Sequence, residues 1–315
     1  METGDKVAIV GAGAVGTSFA YALQISGAAQ EIVLIDLDRE RAEGEALDLS
    51  HGLFFTPPAR IEAGGYEECE GADVVVMTAG ASQEPDQSRM ELVETNVKIC
   101  RSVVEEVLKH TEDAVLLMVT NPVDVLTYAA LKFSGLPRHQ VIGAGTVLDS
   151  ARFRYLLGQH CNIDTRNIHG YVLGEHGDTE VMAWSLTHVG GVPMEEFCEL
   201  CPHRSPTCDL ENIGERVRDS AYHLIDAKGA TNWAVGLAMV KIVTSVLRDE
   251  NSLLTVSTLM DGEYGLEGLC MSLPTIVNAS GAEDPIAPRL GEEETEAMRR
   301  SGRAIREVIE QVGLD

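Results

Sequence analysis

A chain of 315 residues, 44% of them hydrophobic, can bury a large core and is long enough for two domains. Fifty acidic residues against 24 basic ones leave a net charge of −26, which argues against a nucleic-acid partner, because phosphate binding needs a basic face. No apolar run approaches the roughly 18 residues of a bilayer span, and METGDKVAIVGAG has no basic leader ahead of its first strand, so the expectation is a cytoplasmic protein with no membrane partner.

In chain order, KVAIVG reads as a strand, AVGTSFAYALQIS as a helix and EIVLID as a second strand. DRERAEGEALDLSHG is helical, and ADVVVMTA is a buried strand bounded by Gly71 and Gly80. From Met90 to His110 the apolar positions Val93, Val97, Cys100, Val104 and Leu108 recur at helical spacing. AVLLMVT is a further strand, PVDVLTYAALKFSG a helix beginning at Pro122, and QVIGAG another strand. Such alternation builds a parallel sheet with helices on both faces. Beyond residue 145 the pattern changes. VLDSARFRYLLGQH is helical, short strand-like pieces follow around IHGYVLG and EVMAWSLTHVGG, and a long helical region spans roughly 211 to 249. LLTVSTLMDG and LCMSLPTIVNASG look like antiparallel hairpin material, and a last helix runs from about Gly291 to Val312. The expected fold is α/β: a doubly wound parallel sheet of the Rossmann type over 1–145, then an α+β catalytic domain over 146–315.

GAGAVG, from Gly11 to Gly16, is a G-x-G-x-x-G that follows a strand and opens a helix, and Asp36 ends the next strand. In that setting the pattern is a dinucleotide fingerprint. Gly11 permits the tight turn, Gly13 lets the backbone approach a pyrophosphate, and Gly16 lets the helix pack close to the sheet. The phosphates would lie against the helix N-terminus. The Asp36 carboxylate suits ribose hydroxyls and repels a 2′-phosphate, which favours NAD over NADP.

Three stretches further on carry polar chemistry. Asn121 of TNPVD follows a strand and so lies at the carboxyl end of the sheet, where ligands bind in such folds. TVLDSARFR places Asp149 and Arg152 three apart on one helix face. VLGEHGDTE sets His176 in a polar turn between two glycines. Singly, each has an ordinary surface explanation.

Together, GAGAVG, IVLID, MTAGA, TNPVDVLTY, GTVLDSARFR, LGEHGDTE and KGATNWA, in this order and spacing, make the chain resemble the L-lactate/malate dehydrogenase family, its bacterial L-lactate members above all, over essentially its whole length. The resemblance implies an NAD-dependent 2-hydroxy acid oxidoreductase of fermentative glycolysis. It implies that Arg152 clamps the substrate carboxylate, that His176 is the general acid and base, and that Asp149 orients and charges it. Arg89 would polarise the carbonyl from the loop AGASQEPDQSRMEL, a lid that excludes water on closing. Asn121 would bond near the nicotinamide and carbonyl, and Thr231 would line the substrate pocket. Val15, Arg41, Tyr66, Gly80, Ala81 and Thr146 match cofactor-contacting positions.

Gln83 stands on the lid where malate dehydrogenases of the family carry Arg to neutralise a second carboxylate. A neutral Gln followed by Glu84 and Asp86 repels a dicarboxylate, so the expectation is pyruvate and L-lactate. The alternatives are oxaloacetate, as in malate dehydrogenase, or a branched 2-hydroxy acid. In EPDQSR, Asp86 replaces the Gly more usual after the Pro, which bears on lid mobility. Arg154 and His169 match the fructose 1,6-bisphosphate site of allosteric members, but the same two residue types also occur in members that lack this activation, so the resemblance leaves that effector open. A homotetramer, with dimer as the fallback, is carried over from the family. Cys198, Cys201, His203 and Cys208 imitate a zinc cluster, but one residue between Cys201 and His203 is too short for a zinc knuckle, so no metal is expected. The acid excess, with only six Lys, fits either an ordinary acidic bacterial protein or adaptation to a salt-rich cytoplasm.

Overall fold

The computed structural model describes residues 5–81, 87–200 and 210–314. The first half runs β1 (Lys6–Val10), α1 (Ala14–Ser26), β2 (Glu31–Ile35), α2 (Arg39–His51), β3 (Arg60–Gly64), β4 (Val74–Met77), α3 (Arg89–Val107), β5 (Val115–Met118), α4 (Val123–Ser134) and β6 (Val141–Gly143). The second half continues with α5 (Val147–Cys161), the short strands β7 (Ile168–His169), β8 (Val172–Leu173), β9 (Val181–Met182), β10 (His188–Val189) and β11 (Val192–Pro193), then α6 (Met194–Leu200), α7 (Leu210–Lys228) and α8 (Trp233–Leu247). It ends with β12 (Ser252–Leu254), β13 (Ser257–Asp261), β14 (Glu267–Ser272), β15 (Thr275–Asn278), β16 (Gly281–Ala282) and α9 (Glu292–Gln311).

Among the described residues the main sheet has eight strands in the order β14-β13-β6-β5-β4-β1-β2-β3. The six from β3 to β6 are parallel, and the order reverses between β1 and β4, the switch point where such sheets open a crevice. The hairpin expected near residue 260 does form, but it extends this sheet: β13 pairs antiparallel with β6 through Ser257 opposite Gly143. Polar β3 was absent from the expected strands. Its one buried apolar residue is Ile61, and pairing with β2 supplies what its sequence lacks. The helical region expected over 211–249 is two helices, broken at Gly229, whose φ of 83° ends the first.

The central strands bury both faces, which is why they read as unbroken apolar runs. Val10, Met77, Leu116 and Met118 pack on one side with Val97, Val104, Leu126 and Met298; Ile9, Leu34, Val76 and Leu117 pack on the other with Phe19, Leu23, Met239 and Ile242. A third cluster joins Phe153 and Leu157 of α5 to Val172, Met182 and Val217. This layering holds the carboxyl ends of β1, β4 and β5 rigidly at one edge. Ser88 then starts α3 with a reciprocal cap: its hydroxyl accepts from the Glu91 amide, and the Glu91 carboxylate accepts from the Ser88 amide at 2.8 Å. Arg89 thus begins α3 on a fixed base.

Candidate active site

The glycine turn behaves as its spacing predicts. Gly11 has a φ of 111°, and a Cβ there would lie 2.6 Å from the Ala79 amide nitrogen. A Cβ on Gly16 would fall 1.9 Å from the Gly11 carbonyl oxygen, so α1 can approach the turn only without a side chain. A Cβ on Gly13 would meet nothing within 4 Å, the open space that a diphosphate at the head of α1 requires. The Asp36 carboxylate is tied to this rim, accepting from the Ala12 amide at 2.6 Å and the Asp38 amide at 2.9 Å. These features fit a dinucleotide whose ribose is read by an acid.

A cleft of about 220 Å³ runs from this turn into the second half of the chain, lined in part by Val15, Asn121, Arg152, His176 and Thr231. A second hollow of about 410 Å³ shares Asn121, Arg152 and His176 and adds Arg89, Asp149, Asp178 and Tyr222. The structure therefore brings together the residues expected at the chemistry. His176 Nδ1 stands 2.5 Å from Asp149 Oδ2, and Arg152 donates to Asp149 Oδ1 at 2.7 Å. Arg152 also reaches Thr231 Oγ1 at 3.5 Å. Arg89 donates to Asp178 Oδ2 at 3.1 Å, and Tyr222 donates to its other oxygen at 2.7 Å.

Burial alone would discharge His176, but the charge and hydrogen bond of Asp149, helped by Asp124 and Glu180, hold its pKa up at about 9. Burial would likewise protonate Asp149, yet His176 and Arg152 keep its carboxyl below the ordinary range. The result is an ionised acid clamped between two cations. Because Nδ1 is occupied by Asp149, Nε2 is the ring nitrogen left to exchange a proton with a ligand.

The remaining expected residues are spread more widely. The Ala81 amide donates to Asn96 at 2.8 Å, and a Cβ on Gly80 would fall 2.4 Å from Thr120, so the strand end is held close to β5. Arg41 lies in the first turn of α2, and Tyr66 is partly buried with its hydroxyl pKa raised, chiefly by burial. Thr146 is wholly buried and its hydroxyl is bonded to the Val172 carbonyl at 2.5 Å, which sets it behind the cleft wall formed by Ala144 and Gly145. Arg154 donates to the Gly170 carbonyl at 2.8 Å, and His169 is exposed on β7. Gln83, Cys201, His203 and Cys208 lie outside the described residues.

Sequence reasoning missed four groups. Asp124 accepts the His176 backbone amide at 2.7 Å. Glu180 is buried near Asp149, His176 and Arg152, with Oε1 unpartnered and its pKa pushed up to about 8, mainly by burial. Asp178 and Tyr222 hold Arg89. For Asp124 a signal existed, since an acid between the apolar Val123 and Val125 at the start of a largely apolar helix asks what partner it has.

Comparison with known proteins agrees with this geometry. Residues 5–143 match the family model for the lactate/malate dehydrogenase NAD binding domain, which makes NAD the cofactor. Residues 146–313 match the lactate/malate dehydrogenase alpha/beta C-terminal domain. An L-lactate dehydrogenase of Acetivibrio thermocellus is 47% identical over 309 residues, covering 98% of both chains. L-lactate dehydrogenase 1 of Clostridium acetobutylicum is 46% identical over 99% of this chain and 100% of its own. The ligand-bound crystal structure of the minor L-lactate dehydrogenase of Enterococcus mundtii superposes with a TM-score of 0.95 at 42% identity, over 99% of each chain. With both halves matched in order and these relatives aligned end to end, the chain belongs to the lactate/malate dehydrogenase family.

Proposed function

We propose that this protein is an NAD-dependent L-lactate dehydrogenase that reduces pyruvate to L-lactate. The observation that carries the reading is the His176–Asp149 pair at 2.5 Å with Arg152 on the same carboxylate, all beside the dinucleotide cradle. NADH, when bound, supplies the hydride. Arg152 takes the substrate carboxylate in a planar two-pronged contact that a Lys could not reproduce. His176 gives its Nε2 proton to the substrate carbonyl oxygen and recovers it in the reverse direction. Asp149 stays ionised throughout and steadies the imidazolium. Arg89 stabilises negative charge growing on that oxygen, while Asn121 and Thr231 line the adjoining cleft with Arg152 and His176. Gly11, Gly13, Val15, Gly16, Asp36, Arg41, Tyr66, Gly80, Ala81 and Thr146 are assigned to the cofactor's side of the site.

Specificity for pyruvate over oxaloacetate rests on Gln83 with Glu84 and Asp86, a lid segment with two acids and no cation for a second carboxylate. The relatives named L-lactate dehydrogenase support it. The same reading divides the chain at 145/146 and makes it a homotetramer, in which Arg154 and His169 bind fructose 1,6-bisphosphate near a two-fold axis. It is placed in the cytoplasm, supported by the buried free thiols of Cys69, Cys100 and Cys270. NADH oxidation measured with pyruvate, oxaloacetate and a branched 2-keto acid, each with and without the sugar bisphosphate, is the test. A preference for oxaloacetate or for the branched acid would overturn the assignment.

A further inference from the structure

Asp124 is the second residue of α4 and 2% exposed. Its Oδ2 accepts the backbone N–H of His176 at 2.7 Å, and its Oδ1 accepts the hydroxyl of Ser257 at 2.6 Å. The three residues come from separate parts of the chain: the helix that follows Asn121, the turn between β8 and β9, and the strand that closes the main sheet on β6. One carboxylate therefore pins the His176 turn to the sheet. Val123 and Val125 on either side are buried, and although an acid suits the first turn of a helix, that role needs neither the burial of Asp124 nor its two distant partners.

Resting on the reading of His176 as the proton donor, we propose that Asp124 is a positioning residue for the reaction, fixing the His176 turn through its backbone amide and serving as a second anion, after Asp149, for the imidazolium. It reaches the chemistry through His176 and touches no substrate. The titratable groups facing it are His176 and Glu175 from the turn and Cys270 from β14. Burial pushes the Asp124 carboxyl up to about 7, while Ser257, the His176 amide and the imidazolium act the other way. Its charge and that of His176 therefore support each other.

Asp124→Asn separates charge from shape. The Asn carbonyl can still accept from the His176 amide, and its NH2 can donate to the Ser257 oxygen, so the turn stays anchored while the charge is lost. The expected result is a fall of about one unit in the His176 pKa, read by NMR of the protein without pyruvate and assigned by the resonance missing in His176→Asn. The alkaline limb of pyruvate reduction should move with it, with a loss of about eightfold at pH 9.5 and little change at pH 6. Ser257→Ala removes a hydrogen bond that helps keep Asp124 ionised, so Asp124 takes up its proton at higher pH and both readouts should shift the same way by less. An unmoved His176 titration in Asp124→Asn, or an activity loss equal at all pH values, overturns the proposal. If Asp124→Asn does not fold, an unmoved titration in Ser257→Ala overturns it instead. The NMR readout needs no substrate, so failure of the pyruvate assignment would be seen separately in the unmutated enzyme.

Discussion

Arg89 and Asp178 form an ion pair of 3.1 Å across the mouth of the cleft, with the Arg89 side chain 67% and the Asp178 side chain 54% exposed. At such exposure the pair contributes only about 0–1 kcal/mol, so a substrate oxygen can compete for the guanidinium at small cost. Asp178→Asn should therefore change kcat and KM for pyruvate by no more than about fivefold. Arg89→Gln, which removes charge stabilisation at the reacting oxygen, should lower kcat by about 10²–10³. Steady-state kinetics of both variants check the asymmetry, and equal losses would mean that Asp178 itself takes part in the reaction.

The raised His176 pKa fixes a direction with pH. Pyruvate reduction needs the charged ring, so its rate should hold below about pH 9 and fall as pH rises through it, while L-lactate oxidation should rise over the same interval. The linkage to folding has the same sign. A histidine raised from 6.5 contributes stability fully present below pH 6.5 and lost as pH climbs through about 9. Asp149→Asn should move the rate profile to lower pH and reduce kcat by about 10²–10⁴, as pH–rate profiles in both directions would show.

Gly13 and Gly16 make opposite predictions within one motif. Ala at 16 would drive Cβ into the Gly11 carbonyl, a backbone atom that cannot move cheaply, and should cost stability by about 1–3 kcal/mol. Ala at 13 enters open space in the protein, so Tm should stay within about 2 °C of the parent. The KM for NADH should nevertheless rise at least about tenfold, because the methyl occupies the pyrophosphate approach. Thermal melts beside NADH titrations distinguish the two.

Gln83→Arg should turn the lid toward a dicarboxylate. Supplying the missing cation should raise kcat/KM for oxaloacetate by about 10²-fold and lower that for pyruvate, worth about 3 kcal/mol in relative preference. Glu84 and Asp86 remain to oppose the change, so a double variant that also neutralises them should go further. The ratio of the two specificity constants is the measurement.

The net charge of −26 predicts a salt response. Raising KCl to about 1 M shrinks the screening length to roughly 3 Å and should raise Tm by several degrees. A Tm that is flat or falls with KCl would mean that the acids are already paired well enough at low salt.

The nucleotide half and the paired Asp149 and Arg152 were legible because their information is local. A strand, a glycine turn and a helix follow one another between Lys6 and Ser26, and an acid and a base three apart must share a helix face. The contact of Asp124 with Ser257 spans 133 residues, and no local pattern announces it. Strand β3 escaped for a related reason, since its neighbour β2 rather than its own alternation makes it a strand. Glu180 ends the stretch LGEHGDTE that carries His176, but adjacency in a turn does not say which side chain faces inward.

Strand β13 meets the β6 edge at Gly143, yet Ser257, its partner there, is made more than a hundred residues later. At roughly 5–20 residues per second, a ribosome leaves that edge bare for on the order of ten seconds after β6 has emerged. In that interval Val141 and Ile142, both buried in the finished protein, border an open row of backbone donors and acceptors. The nascent enzyme is thus most exposed to chaperone capture, or to pairing with a sister chain, through the strand that ends beside its own active site.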